Sequence, residues 1–224
     1  MREYRGTPIQ RIGPKRTCLF SPLFAYIVLV FIPLLSFGQI RKLNLEQAFP
    51  VLQADNHIWI GTPSGLYQYS PSDDSYKKFV IPTKYQTQNV KQLFAHRDWL
   101  WCVLDTGLAA LQIRLNDWLF FDARNGLPAS IVNNIDFIDD YVWAATDNGV
   151  ARFDLLIEQW EVFDQKRGLL SPTVSDIKSF TKQVWLTNEK SFSEYNPQFE
   201  KWRHFSLDDA STTLKRCFIL SDEI

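Results

Sequence analysis

The stretch WIGTPSGLYQY, Trp59 to Tyr69, returns along the chain at a constant spacing and decides the fold. Its tryptophan recurs three times at steps of 42 residues, and the glycine six residues later keeps that step until Ser191 replaces it in the fourth copy. A tandem repeat of one structural unit follows from this period. The residues in register are Trp59, Trp101, Trp143 and Trp185, then Gly65, Gly107 and Gly149, then Phe79, Phe121, Phe163 and Phe205.

Each repeat reads as four short strands separated by turns. In the clearest copy we predict strands at residues 132–138, 141–146, 150–154 and 159–163. Asp147-Asn148-Gly149 joins the second strand to the third, and the glycine supplies the positive φ that such a tight connection needs. The segments are too short, β-branched and aromatic for a helical solenoid.

Four antiparallel strands in about 42 residues are typical of one blade of a β-propeller. The sequence therefore predicts an all-β fold with blades at about 47–85, 86–128, 129–170 and 171–212, and the first strand of a fifth blade at 213–224. Because one blade buries its faces only against its neighbours, the repeated Trp and Phe positions are expected to form the core between blades.

Both ends of the predicted array offer the same innermost strand, so they cannot complete one blade together. We therefore expect residues 39–224 to be an incomplete ring, a fragment of a larger propeller. Such an array leaves an apolar face uncovered at each end, and self-association through these open edges is expected.

Residues 1–38 read as an export signal. Five basic residues precede a span without charge from Thr17 to Ile40, and Ser36 and Gly38 provide small residues for cleavage after Gly38. An uncleaved signal anchor is the alternative, since the span is long enough to cross a bilayer. Either interpretation predicts an exported, periplasmic domain that meets the membrane only through this segment or through a part beyond residue 224.

Composition limits the partners. The net charge is −1, which gives no electrostatic attraction to nucleic acid, and no nucleic-acid partner is expected. The three histidines are scattered and no cysteine spacing suits a metal, so neither a metal site nor a cofactor is predicted. Cys102 lies in an apolar run and is expected to be a small buried residue, although pairing with Cys217 stays open.

Several motifs of the repeat are similar to one family. Trp59-Ile60-Gly61-Thr62 with Gly65-Leu66, Trp143-Ala144-Ala145-Thr146 with Gly149-Val150, and the connection Asn125-Gly126-Leu127-Pro128 resemble the two-component regulator propeller repeats. The resemblance covers nearly all of the chain after the signal. Two copies depart from the pattern, with Leu104 where threonine is expected and Ser191 where glycine is expected.

The resemblance implies a function. Propellers of this family form the extracytoplasmic sensory part of bacterial signalling proteins, ahead of a transmembrane helix and a cytoplasmic histidine kinase or other output domain. Several of them sense oligosaccharides. By resemblance we expect a ligand-binding sensor, truncated before its transmembrane and output domains, that takes an extracellular small molecule or oligosaccharide.

Ligands of propellers commonly meet the face that carries the second-to-third strand loops and the connections between blades. A mixture of carboxylate, amide and guanidinium groups there suits hydrogen bonding to sugar hydroxyls. Turn chemistry alone also favours Asp and Asn at such positions. The candidate ligand-binding residues are Asp105, Arg124, Asn125, Asp147, Asn148, Arg167 and Asn188.

Catalysis has little support in the sequence, and no catalytic residue is predicted. The carboxylate pairs Asp73-Asp74, Asp139-Asp140 and Asp208-Asp209 fall in turns, where adjacent side chains point apart, whereas a glycosidase needs two carboxylates across a cleft. Two alternatives to the sensor remain open. One is an exported structural or protein-binding propeller without signalling output, and the other is a propeller enzyme of the quinoprotein or lyase type.

Overall fold

The computed structural model describes residues 50–81, 89–206 and 214. The predicted signal segment, Cys217 and, apart from Leu214, the predicted fifth-blade strand lie outside these residues.

Sixteen strands in the described part form four sheets of four. The first sheet contains β1 (Val51–Ala54), β2 (His57–Thr62), β3 (Gly65–Ser70) and β4 (Ser75–Phe79). The second contains β5 (Val90–His96), β6 (Trp99–Leu104), β7 (Leu108–Gln112) and β8 (Asp117–Phe121). The third contains β9 (Val132–Ile138), β10 (Tyr141–Thr146), β11 (Gly149–Asp154) and β12 (Gln159–Phe163). The fourth contains β13 (Asp176–Phe180), β14 (Gln183–Thr187), β15 (Ser191–Asn196) and β16 (Lys201–Ser206).

Every sheet has its strands in chain order, each antiparallel to the next. The order and the tight hairpins are those of a propeller blade. The predicted all-β fold of four four-stranded blades is confirmed.

The predicted hairpin of the third sheet has a loop of two residues, because Thr146 pairs directly with Gly149. β11 therefore begins one residue earlier than the sequence predicts. Gly149 has φ +119°, and Thr146 Oγ1 donates to its carbonyl at 2.7 Å. The glycine is needed because this backbone conformation is strained for any residue with a Cβ.

Three apolar cores lie between successive sheets. Trp59, Trp101 and Trp143 are each 0–1% exposed, and each points from its own sheet towards the sheet that follows in the chain. Trp59 packs with Leu100 and Cys102 of the second sheet. The repeated tryptophans of the first three sheets are thus the packing residues that the period predicts, and burying such a ring contributes several kcal/mol to stability, on the order of 3–5.

The fourth copy differs in burial. Trp185, Phe192 and Phe205 occupy the positions of Trp143, Val150 and Phe163 one repeat earlier, but all three are only half-buried. Their rings stack on one another, with the centroids of Phe192 and Phe205 4.6 Å apart.

The first strands of neighbouring sheets are joined by polar contacts. Gln92 Nε2 donates to the carbonyl of Asn133 at 3.0 Å, and Asn133 Nδ2 donates to the carbonyl of Val174 at 2.8 Å, each across 41 residues. The backbone N–H of Ser179 donates to Asp136 Oδ2 at 2.6 Å across 43 residues. The first strand is therefore the edge along which successive sheets meet.

The connections between sheets are held on the opposite edge by the fourth strands. Gly126 lies against the indole of Trp160, and Gly168, one repeat later, lies against the indole of Trp202. A Cβ at Gly168 would stand 2.6 Å from Trp202 Cδ1. These two glycines allow the connection to approach the aromatic ring closely, which explains their place in the repeat.

Candidate ligand-binding face

One end of the sheets carries both the second-to-third strand loops and the connections between sheets. The N–H of Gly107 donates to the carbonyl of Ser130, and the N–H of Gly149 donates to that of Pro172, both at 2.6 Å. These bonds fasten each connection beside the hairpin loop of the preceding sheet. We call this end the loop face. It holds every candidate ligand-binding residue that the sequence predicts.

A groove of about 410 Å³ opens on the loop face at the third sheet. Two prolines and Val162 give it apolar patches, and amide, carboxylate and ammonium groups surround them. A mixed lining of this kind suits a polar ligand with flat apolar surfaces, such as a sugar. The lining residues are Pro128, Asn148, Gly149, Val162, Asp164, Gln165, Lys166 and Pro172.

Asn148 is the predicted ligand-binding residue that lies in the groove. Its side chain is exposed, and its Nδ2 donates to the carbonyl of Pro128 at a long 3.3 Å. The amide oxygen has lone pairs that a ligand hydroxyl can use. Lys166, on the short 3₁₀ turn Gln165–Arg167, brings an exposed ammonium group to the same groove.

Asp147 and Asp105 occupy equivalent loop positions, and each accepts a hydrogen bond from an asparagine in or directly before the first strand of its own sheet. Asn133 Nδ2 donates to Asp147 Oδ1 at 2.9 Å, and Asn89 Nδ2 donates to Asp105 Oδ1 at 3.1 Å. Lys91 Nζ also lies 3.3 Å from Asp105 Oδ1. Both carboxylates keep substantial exposure, so they border the inner edge of the loop face.

Arg124 and Asn125 stabilise the connection between the second and third sheets through hydrogen bonds. The guanidinium of Arg124 donates from Nε and Nη2 to Asp122 Oδ2, at 3.1 and 2.8 Å, and that carboxylate is buried. The Asn125 amide accepts from the N–H of Asp122 and donates to the carbonyl of Phe120. The Asn125 amide is thus occupied by its own turn.

Arg167 belongs to a network on the third sheet. Its guanidinium donates to Glu161 Oε1 at 2.6 Å and stacks 4.4 Å above the ring of Phe163. Arg152 pairs with the same carboxylate from the neighbouring strand. Burial would raise the pKa of Glu161, but the hydrogen bond from Arg167 and the charge of Arg152 outweigh it and hold that pKa below its ordinary value.

Asn188 holds the loop of the fourth copy, where Ser191 stands at the position of the glycine. Its Oδ1 accepts from the N–H groups of Lys190 and Ser191 at 3.0 and 2.8 Å, and its Nδ2 donates to Ser191 Oγ at 2.6 Å. The loop here has three residues instead of two. The side chain holds this loop closed, as Asn commonly does in turns.

The structure thus places Asn148 in the groove, while Asp105 and Asp147 lie outside it at the inner edge of the loop face. Arg124, Asn125 and Asn188 hold turns. Asp164 was not among the candidate residues, although it caps the 3₁₀ turn by accepting from the N–H of Arg167 at 3.1 Å and lines the groove. Pro128 and Pro172 were visible in the two connections, but their convergence around Asn148 depends on how adjacent sheets pack.

Within residues 50–81, 89–206 and 214, no three or more His, Cys, Asp or Glu side chains are grouped so that they could hold a metal ion. In the same part of the chain no helix is both long and apolar enough to span a bilayer.

No family model and no curated protein matches the chain. Solved structures do match it in fold. The extracellular domain of the hybrid two component system BT4673 from B. thetaiotaomicron is 21% identical with a TM-score of 0.59, and the match covers 76% of this chain and 24% of that one. The corresponding domain of BT3049, also from B. thetaiotaomicron, is 17% identical with a TM-score of 0.55, covering 74% and 25%.

A third match is virginiamycin B lyase from Staphylococcus aureus, 13% identical, with a TM-score of 0.56 and coverage of 72% of this chain and 56% of that one. These likenesses define the class: the chain is a run of β-propeller blades. The predicted resemblance to sensor propellers agrees with the first two matches at the level of the fold. The chain spans about a quarter of the length of those two extracellular domains.

Proposed function

We propose that this chain is part of the extracytoplasmic sensory propeller of a bacterial two-component signalling protein, and that it binds a soluble oligosaccharide on the loop face. The observation that carries the proposal is the groove between Pro128, Asn148 and Lys166. The proposal is also supported by the fold that the chain shares with the extracellular domains of two hybrid two component systems. Export, binding rather than catalysis, and transmission to a kinase are all parts of this proposal.

The chemistry of the groove supports a neutral or weakly acidic sugar. Prolines offer the flat apolar surface on which a sugar ring rests, and the Asn148 amide and the Asp164 carboxylate offer hydrogen bonds to hydroxyls. The Lys166 ammonium favours a ligand that bears a carboxylate or sulfate, since a charge-assisted hydrogen bond is roughly twice as strong as a neutral one.

Binding is tested by screening soluble neutral and uronic-acid oligosaccharides against the purified chain by isothermal titration calorimetry. For a sugar that binds, Lys166→Ala is expected to weaken the affinity about tenfold, the cost of one charge-assisted hydrogen bond. Lys182→Ala is the matched control, because Lys182 is 82% exposed on the β13–β14 turn at the opposite end of its sheet. Equal losses in both variants, or binding that neither affects, would place the sugar elsewhere.

A further inference from the structure

The end of the sheets opposite the loop face is built from two turns of every sheet. One turn joins the first strand to the second, and the other joins the third strand to the fourth. We call this end the turn face. Its residues are 55–56, 71–74, 97–98, 113–116, 139–140, 155–158, 181–182 and 197–200.

A large apolar side chain stands at the same place on the turn face in three consecutive sheets. Leu115, Ile157 and Phe199 are 42 residues apart and are 75%, 62% and 62% exposed. Leu156, beside Ile157, is also 74% exposed. We call these four side chains the apolar row. Single exposed apolar residues are common on proteins, but a repeated position in adjacent sheets gathers these along one edge.

The fold does not need apolar side chains at this position. Each turn is held by the backbone N–H of the row residue, which donates to the side chain three positions earlier. The three bonds are Leu115 to Gln112 Oε1 at 2.9 Å, Ile157 to Asp154 Oδ1 at 3.3 Å and Phe199 to Asn196 Oδ1 at 3.3 Å. In the first sheet the equivalent residue is Asp73, and that sheet forms as the others do. The side chains of the apolar row are therefore available for an interaction.

The turn face is acidic. Its turns contain eight acidic residues and three basic ones. The acidic residues are Asp55, Asp73, Asp74, Asp98, Asp139, Asp140, Glu158 and Glu200. Each cation is paired within the face: Arg97 with Asp140, Arg114 with Asp98 at 3.1 Å, and Lys182 with Asp139 at 4.0 Å. Because Glu158 and Glu200 directly follow two residues of the apolar row and are exposed, the row is bordered by negative charge.

We propose that the turn face docks a basic, amphipathic segment of a partner protein. The apolar side chains of the segment cover the apolar row, and its lysine or arginine side chains meet the surplus carboxylates. An amphipathic helix has this chemistry, since apolar residues recur along one side of it and charged residues along the other.

Charge decides against two other occupants of the turn face. Two copies of this face would bring like charges together, which opposes association. An anionic lipid surface attracts basic patches and repels an acidic one. The groove lies at the other end of the sheets, so the inference does not depend on the proposed function.

The test measures binding of a fluorescein-labelled helical peptide of leucine and lysine to the chain, produced with its full sequence, by fluorescence anisotropy. The unaltered chain is expected to bind this peptide and not a leucine–glutamate peptide of the same length and pattern. The double variant Ile157→Ser with Phe199→Ser should bind about tenfold more weakly, as is typical when a buried interface contact is removed. Leu170→Ser is the matched control and should bind normally, because Leu170 is 45% exposed but lies in the connection between the third and fourth sheets.

The charge requirement and the other occupants are tested in parallel. Glu158→Lys with Glu200→Lys should also weaken binding of the leucine–lysine peptide about tenfold. Circular dichroism checks the fold of each variant, and Leu115→Ser with Leu156→Ser replaces the first pair if that pair does not fold. Light scattering and flotation with phosphatidylglycerol vesicles measure self-association and lipid binding.

Several results would overturn the proposal. They are failure of the unaltered chain to bind the leucine–lysine peptide, equal binding by Ile157→Ser with Phe199→Ser, and an equal loss in Leu170→Ser. Loss of self-association or of vesicle binding in the serine double variant would assign the apolar row to a second copy or to lipid instead.

Discussion

Trp202 covers Gly168 and is hydrogen-bonded to the residue before it: the indole Nε1 donates to the carbonyl of Arg167 at 2.9 Å. The Trp202 ring thus holds the connection between the third and fourth sheets both by packing against Gly168 and by a hydrogen bond. At the equivalent place one repeat earlier, Gly126 lies against Trp160, whose Nε1 is buried with no protein acceptor.

Gly168→Ala is expected to destabilise the chain by about 1–3 kcal/mol, because the added methyl group meets the ring and because φ at this residue is +97°. Urea unfolding followed by tryptophan fluorescence measures the change. Leu170→Ala, two residues along and 45% exposed, is the control and should cost little. Equal stability of Gly168→Ala and the unaltered chain would mean that the connection moves away from the ring at no cost.

The repeated tryptophans should contribute different amounts to the free energy of unfolding, according to how deeply each is buried. Trp143→Ala is expected to cost about 3–5 kcal/mol, the range for emptying a buried aromatic site. Trp185→Ala should cost clearly less, since Trp185 is only half-buried at the same position of the next sheet. Chemical unfolding of both variants under conditions where the chain is a single species compares them, and a larger loss for Trp185 would contradict the packing described here.

Glu161 links stability to pH. Its pKa is lowered by Arg167 and Arg152 in the folded chain, so its contribution is fully present above the unfolded value of about 4.3 and is lost as the pH falls through the folded pKa. Glu161→Gln should therefore reduce stability at pH 7 and make the stability curve flatter below about pH 5. Thermal melts from pH 3 to pH 7, with Glu158→Gln as an exposed control, give the comparison. Parallel curves for Glu161→Gln and the unaltered chain would argue against the network.

The thiol of Cys102 should be unreactive towards alkylating reagents in the folded chain. Complete burial raises the pKa of its thiol, and the thiolate is the reactive form. Iodoacetamide at pH 8, with the labelled sites mapped by mass spectrometry, is expected to modify Cys102 only after urea is added. The structure shows Cys102 as a free thiol. Rapid labelling without denaturant would mean that the core between the first two sheets opens readily.

Much of the fold followed from the period because a residue that recurs every 42 positions takes the same place in every sheet, and in the first three sheets it is buried in the same way. This reasoning found the buried rings of Trp59, Trp101 and Trp143. It could not distinguish a side chain that holds its own turn from one that is free to bind. Asn125 and Asn148 look alike as loop amides, yet one is occupied by Asp122 and Phe120 while the other lines the groove.

Ion pairs that differ between copies of the repeat also could not be predicted from the sequence. Arg152 with Glu161 in the third sheet becomes Glu194 with Arg203 in the fourth, at the same two positions and with the charges exchanged. Each pair is evident only once the register places the two residues opposite each other, Arg152 against Glu161 and Glu194 against Arg203.

The polar contacts between first strands have a consequence for how the chain folds. They join residues 41 to 43 positions apart, such as Gln92 with Asn133 and Asp136 with Ser179. Each of these contacts between sheets therefore forms between segments that are one repeat apart in the chain. The entropy of closing a loop therefore rises no further as sheets are added. Folding can begin at any one sheet and spread to its neighbours in either direction, so the speed of the process is set by one repeat and not by the length of the array.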